Sequence, residues 1–466
     1  MNIVLVNTNR IRPPIAPIGL EYVAEAMGGS DYPVRVFDPP SEEGWEEALS
    51  DFFRRESFDL VGLTFRNTDD CVFTSRQSFL APLAMTVEKI RQNSEGLIVL
   101  GGVGFSVMPE KVLERSRADV GIWGDGEFAF LDLADRLDRK QAYLNLPGLV
   151  WCNEEGWHRN PPLSHSLDAL PPMSRRWVDN IRYFREGGQI GFETKRGCSG
   201  LCVYCADPVA KGNQIRTRPP KAVVDEIENL IAQGIDHLHT CDSEFNLPLE
   251  HALEVCREMI HRGLGDKLRW YAYCSPVPFT EEFARVLRAA GCVGINFGTD
   301  SGEEGMLKRL GRNFSPEDIT RTVCLCKDAG IAVMLDLLFG SPGESEESIR
   351  RTVELMKQVE PDRVGVAVGV RVYPETPLAK SLWKEGRREG IVEEGEDGAM
   401  AFFLEPRIAS SAFNLLDRLI GDDHRFFFFD PAKPERNYNY NANQRLQEAI
   451  GKGYRGAYWD ILRRYE

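Results

Sequence analysis

In the first third of the chain, hydrophobic residues come in short, nearly unbroken runs: NIVLVN (2–7), VRVFD (34–38), FDLVGLT (58–64), GLIVLGG (96–102) and DVGIWG (119–124). Between them, apolar residues recur at helical spacing in GLEYVAEAMG, GWEEALSDFFRR, LAMTVEKIRQN and GEFAFLDLADRL. Strands apolar on both faces, alternating with amphipathic helices, imply a parallel sheet covered on two sides. Residues 1–140 are therefore expected to form an α/β, doubly wound, Rossmann-like domain of five strands.

The rhythm breaks over 141–190, which is rich in Pro, Trp and Asn. GLVWCNEEGWHRN reads as a hairpin and PPLSHSLDALPPMSRRW as a connector, together a linker between domains. From 191 the alternation resumes on a longer period. Strand patterns lie at 191–197, 237–245, 268–276, 293–302, 332–343 and 363–374, with helical patterns such as KAVVDEIENLIAQG and EEFARVLRAAG between them. Six βα units predict a partial, open (β/α)6 TIM-type barrel over 191–380, whose chemistry should gather at the C-terminal strand ends. Residues 381–466 lose this period and predict a small, mostly helical C-terminal cap, with Tyr438 and Tyr440 as candidates to cover a pocket.

Composition narrows the partners. A length of 466 residues calls for two or three domains. The net charge of −15, from 71 acidic and 56 basic residues, argues against nucleic acid and anionic membrane surfaces. No run approaches the roughly 18–20 apolar residues of a membrane span, and the start reads as a buried strand, so a cytoplasmic protein is expected. Eleven cysteines, an odd count, make a disulfide framework improbable there. Cys256, Cys292, Cys324 and Cys326 fall in helix or strand patterns and read as core.

Three others do not. Cys198, Cys202 and Cys205 stand in KRGCSGLCVYCADP, spaced C-x3-C-x2-C, on the loop after the first barrel strand. A structural zinc takes four ligands, usually from paired C-x2-C knuckles or nearby His, and neither is present here. Thiolates also ligate iron–sulfur clusters, and a [4Fe–4S] cube held by three cysteines leaves one iron open to a substrate.

This motif, with Tyr204 before its last cysteine and on the first βα loop of a (β/α)6 pattern, resembles the radical S-adenosylmethionine (SAM) superfamily. The resemblance implies that the open iron binds SAM and that an electron from the cluster cleaves it to methionine and a 5′-deoxyadenosyl radical. CDSEFN, with Asp242, Ser243 and Glu244, stands where the family has a Gly-Gly-Glu-like motif that holds the SAM ammonium. Asp-Ser replaces Gly-Gly here, which leaves open which atoms make that contact. GINFGTDSG resembles the strand end that places Asp300 and Ser301 near the ribose. Arg312 follows where a basic residue meets the SAM carboxylate. DLLFGSPGES resembles the fifth-strand motif, with Gly340, Pro342 and Gly343 turning beside the adenine, to which Tyr204 adds backbone contacts.

A doubly wound domain before such a barrel resembles the cobalamin (B12)-binding subclass. The matching segments are RPPIAPIGLEYVAEAM, LTFRNTDD and GGVGFSVMPEKVL, and they put Asn67, Thr68, Gly102 and Gly104 in the cobalamin region. The first 157 residues contain no His, so the D-x-H-x-x-G lower-ligand motif is absent. With cobalamin, the resemblance implies methyl transfer to carbon of a polar small molecule. Without it, radical dehydration, epimerisation or rearrangement of a natural-product intermediate is implied, and a non-catalytic cluster-bearing scaffold or sensor is the third reading. Candidate reacting or substrate-facing residues at strand ends are Glu193, Tyr273, Cys274, Asp336, Arg371 and Tyr373. A reducing partner, a flavodoxin, a ferredoxin or a dehydrogenase, would supply the electron.

Overall fold

A computed structural model describes residues 1–39, 44–384, 386, 389–394, 400–428, 440 and 443–465. Tyr438 and most of the aromatic, Asn-rich segment lie outside the described residues.

Five parallel strands form the first sheet: β1 (Ile3–Asn7), β2 (Val34–Phe37), β3 (Leu60–Thr64), β4 (Leu97–Gly101) and β5 (Val120–Ile122). Their order is β2-β1-β3-β4-β5. Most of these residues are buried because helices cover both faces. The hairpin expected at 148–160 is present as β6 (Leu149–Asn153) and β7 (Gly156–Arg159). It is not a free linker: β6 pairs antiparallel with β5 and extends the sheet to seven strands.

The second sheet curves through β8 (Gly191–Phe192), β11 (His237–Thr240), β12 (Arg269–Cys274), β13 (Cys292–Asp300), β14 (Ala332–Phe339) and β15 (Arg363–Val368). A ribbon of β9 (Lys195–Arg196) and β10 (Arg216–Thr217) brackets the cysteine loop. After β15 the chain turns at Gly369, with a φ of +85°, into β16 (Val370–Val372), which leaves the barrel. It pairs with β18 (Met400–Phe403), which in turn pairs with β17 (Ile391–Glu394). A seventh parallel strand, β19 (Phe426–Phe428), closes on β15. Among the described residues the cap holds more helix than strand, as expected, with the strands β17, β18 and β19 added to it. Alternation could not reveal β19, because a run of phenylalanines carries no period.

Two C-terminal helices, Gln444–Gly451 and Tyr458–Tyr465, pack against Tyr271 and Met334 on the inner face of the sheet. The connector is tied into both domains. Its Arg175 donates to Glu21 of the first domain and to Glu226 of the second, each at 2.8 Å, with all three side chains fully buried. Removing one partner from such a set leaves a buried charge unpaired, so the two domains are held at one orientation. Of the four cysteines read as core, Cys256, Cys292 and Cys326 are buried, whereas Cys324 faces solvent.

Candidate active site between the two domains

The C-terminal strand ends of both sheets face one another across a cavity of about 580 Å³. On one side, the loops after β1, β3, β4 and β5 present Asn9, Arg66, Asn67, Gly102 and Gly124–Gly126. Open α/β sheets bind ligands at this edge. Gly102 has a φ of +98°, and a Cβ there would stand 2.7 Å from the Phe65 carbonyl oxygen. At this turn the wall is backbone, a surface that suits a flat macrocycle, and residues 1–157 contain no His to offer it an imidazole. Of the residues assigned to this region from sequence, Asn67 and Gly102 line the cavity. Thr68 and Gly104 are buried: the Thr68 hydroxyl donates to Asp69, and Gly104 backs onto the Asn67 amide.

Opposite lies the cysteine loop. Gly197, at φ +87°, lets it pass the Gln214 carbonyl, which a Cβ would meet at 2.1 Å. The Gly200 amide donates to Cys198 Sγ at 3.4 Å, and a Cβ on Gly200 would stand 3.3 and 3.7 Å from the Cys198 and Cys202 sulfurs. Burial pushes Cys202 up to about 11 and Cys205 up to about 12, and raises Cys198. Among the described residues no three Cys, His, Asp or Glu side chains converge on a single-ion site. A cube asks for something different, since each thiolate takes a different iron at a separate corner.

Beside the thiols stands a network of four expected SAM contacts. Arg312 Nη2 donates to the Tyr204 hydroxyl at 2.8 Å, and Tyr204 donates to Asp300 Oδ2 at 2.7 Å. Arg312 also donates to Asp300 and stands 3.7 Å from Glu244. Gly298 makes room for it: a Cβ there would lie 3.0 Å from Arg312 Nη2. Burial, with Asp300 nearby, pushes Glu244 up to about 7 despite the guanidinium.

Four other expected contacts are taken up by the fold. Asp242 accepts from the Thr194 amide and hydroxyl and from the Lys195 amide. Ser243 donates to Asp207. Ser301 is buried against Thr352. Gly340 sits at φ +97° where Leu404 closes over the turn.

Among the reacting-group candidates, Cys274 is fully buried in the core. Tyr373 and Cys71 share a contact of 3.3 Å at the domain boundary, Arg371 pairs with Asp69, and Glu193 pairs with Arg196. Tyr273 differs. It is 44% exposed, and that surface lines the cavity. Burial, then the nearby Asp336, pushes its hydroxyl up to about 12, so it stays a phenol at neutral pH. Register puts Asn296 beside Tyr273 and Asp336 beside Gly298. The Asn296 Oδ1 is buried with no hydrogen-bond partner among the described residues. No local signal marks Asn296, the register partner of Tyr273, or Cys241, Lys211 and His239, which line the cavity, because each sits in an ordinary strand or helix pattern.

Comparison with known proteins agrees with this geometry. The Radical SAM superfamily model matches residues 192–356, and the B12 binding domain model matches residues 4–134. The chain is 35% identical over 443 residues to the tryptophan 2-C-methyltransferase of Streptomyces laurentii, covering 82% of this chain and 74% of that one. It superposes with a TM-score of 0.92, at 31% identity, on the radical SAM methyltransferase TsrM of Kitasatospora setae, solved with tryptophan and aza-SAM. That match covers 100% of this chain and 97% of the other. A second TsrM structure, with cobalamin and a [4Fe–4S] cluster bound, superposes at 0.91 and 29% identity. None of the described helices is long and apolar enough to cross a membrane. The cobalamin-independent and non-catalytic readings give way to methyl transfer, and the chain belongs to the cobalamin-dependent radical SAM methyltransferases, with SAM, a [4Fe–4S] cluster and cobalamin as its reactants and cofactors.

Proposed function

We propose that this enzyme replaces a ring hydrogen of tryptophan, or of a close indole amino acid, with the methyl group of SAM. The products are the C-methylated amino acid, S-adenosylhomocysteine and a proton. The observation that carries this is the whole-length similarity to a methyltransferase solved with tryptophan bound, joined to the identity with a tryptophan 2-C-methyltransferase.

Cys198, Cys202 and Cys205 hold the cluster, and Asn67, Gly102 and the adjoining backbone hold cobalamin. When bound, the two groups supply redox equivalents and a transferable methyl group. The chain's own residues do the rest. Arg312, fixed by Tyr204 and Asp300, meets the SAM carboxylate, for which a planar fork is suited. Glu244 faces the SAM ammonium. Asn296 Oδ1 accepts from a substrate N–H, which supplies the bond the amide lacks in the protein alone. Tyr273 lies against the substrate ring and passes the displaced ring proton toward Asp336. The thiols must stay reduced, which fits a cytoplasmic enzyme served by a protein reductant.

The test is anaerobic incubation of the reconstituted enzyme with tryptophan and SAM carrying a deuterated methyl group. The expected product is tryptophan with that methyl on a ring carbon, formed one for one with S-adenosylhomocysteine and only when cobalamin is present. Turnover of SAM without methylation of any indole amino acid would sink the substrate assignment. If Cys198→Ala retained its iron and its activity, the cluster assignment would fail.

A further inference from the structure

Two charged side chains on the barrel side of the cavity face it with bonding capacity to spare. Glu193 follows β8, and Lys211 ends the short helix Asp207–Lys211. Glu193 Oε2 accepts from Arg196 Nε at 2.8 Å, and its Oε1 takes no hydrogen bond among the described residues. Lys211 Nζ donates to Asp207 at 3.2 Å, which leaves the ammonium further donors. The two charges feel one another: burial pushes the Glu193 carboxyl up, while Arg196 and then Lys211 pull it back. Yet no ion pair joins them among the described residues. Both are fastened to the wall of the first domain. The Val209 carbonyl, inside the Lys211 helix, accepts from Trp123 Nε1 at 2.9 Å. This helix also packs on Val103–Ser106, which starts directly after Gly102. Through Arg196, Glu193 shares a guanidinium with Asp125 and Glu127 at the turn after β5. The pair therefore stands at the seam with the first domain, whereas the proposed substrate contacts, Tyr273 and Asn296, lie on β12 and β13.

We infer that Lys211 and Glu193 bracket one primary carboxamide at the edge of the corrin ring, Lys211 donating to its carbonyl oxygen and Glu193 Oε1 accepting from its nitrogen. The inference rests on the reading that Asn67, Gly102 and the adjoining backbone hold cobalamin. An ammonium and a carboxylate that face one cavity without bonding each other call for a ligand with acceptor and donor side by side. A carboxamide carries both on one carbon, and the periphery of cobalamin is ringed with them. Each bond has one charged partner, which makes it stronger than a neutral hydrogen bond. A carboxylate at the same position lacks the donor and meets Glu193 with like charge. The pair thus selects the amidated corrinoid over one that carries an acid at that position, since a group built to accept a hydrogen bond is left unpaired by the wrong ligand.

The experiment titrates the full-length, cluster-reconstituted enzyme, prepared without cobalamin, with hydroxocobalamin and follows the corrinoid absorbance. Glu193→Gln keeps an oxygen for Arg196 and turns an N–H toward the cavity, so it should bind hydroxocobalamin about tenfold more weakly. Lys211→Met should lose about as much, and Lys211→Arg, which restores a cationic donor, should recover most of it. A set of cobalamins, each with one side-chain carboxamide hydrolysed to the carboxylate, finds the position. One member should bind the wild type about tenfold more weakly than the others and bind Glu193→Gln without that loss. The wild-type preference within the set needs no substitution, so it stands even where a variant fails to fold. Wild-type cobalamin affinity in both Glu193→Gln and Lys211→Met overturns the inference, as does a set in which no position is singled out. A variant that keeps its cobalamin affinity and raises the KM for tryptophan overturns it in favour of a contact with the amino acid. A wild-type enzyme that takes up no cobalamin overturns the cofactor reading first, which separates the two failures.

Discussion

Arg196, two residues before Cys198, forks onto Glu127 of the first domain, with Nη1 and Nη2 donating at 3.0 and 2.6 Å. Both side chains are nearly buried, and Glu193 and Asp125 complete the set around the guanidinium. Glu127 opens the helix Glu127–Asp138 directly after the cavity-lining turn Gly124–Gly126. The root of the cysteine loop is thereby fixed to the edge of the cobalamin domain, so the two halves of the site share one frame.

Breaking that frame should be costly. Arg196→Met leaves the buried Glu127 and Glu193 without their guanidinium, while Asp125 keeps Arg216, and is expected to destabilise the protein by about 3–5 kcal/mol. Denaturant unfolding of the variant against the wild type measures this. A loss below about 1 kcal/mol would show that the carboxylates find other partners.

Arg312 should be read through SAM binding. Arg312→Lys keeps the charge but loses the planar fork that meets Tyr204 and Asp300. SAM affinity is expected to fall by about tenfold, measured by calorimetry, with the fold intact. Unchanged affinity would remove Arg312 from the SAM site.

At Asn296, stability and binding should move apart. Asn296→Leu removes a buried, unpaired acceptor, so the folded state should be unchanged or more stable. The KM for tryptophan should rise by about tenfold. A variant that loses stability while keeping its KM would make Asn296 a structural residue.

Tyr273→Phe keeps the ring and removes the hydroxyl. The maximal methylation rate should fall by about a hundredfold, with tryptophan binding retained. A wild-type rate would place the proton transfer elsewhere.

His239 gives a pH prediction. Burial holds this ring, stacked on Tyr271 at 5.1 Å, down to about 3. The unfolded chain takes up a proton near pH 6.5 and the folded chain does not. Stability from this group is therefore complete above about pH 6.5 and falls by about 1.4 kcal/mol per pH unit below it, toward pH 3. His239→Phe keeps the stack and lacks the proton, so its stability should drop by about 2 kcal/mol less than that of the wild type between pH 7 and pH 5. Parallel curves would refute this.

The cysteine loop was legible because its signal is local: three thiols and two glycines within nine residues need no partner elsewhere to be read. Arg312, Asp300 and Tyr204 could each be picked out by resemblance, but their mutual bonding depends on a loop and a strand end more than ninety residues apart. Asp242 and Ser301 occupy equally suggestive positions, yet the fold uses their oxygens for the first strand and a helix junction. Asn296 carries no sequence mark, since its meaning comes from being the rung beside Tyr273 with nothing to bond.

The sequence by itself determined the two α/β units, the loop that carries the thiols and the absence of an imidazole in the first domain, because strand runs, ligand spacing and composition are properties of neighbouring residues. Tertiary structure decided that the hairpin joins the first sheet, that Phe426–Phe428 supplies a seventh barrel strand, and which polar strand-end residues face the cavity. Those outcomes depend on hydrogen-bond registers and buried ion pairs between segments far apart in the chain, where the local pattern is the same whether a side chain meets a substrate or another part of the protein.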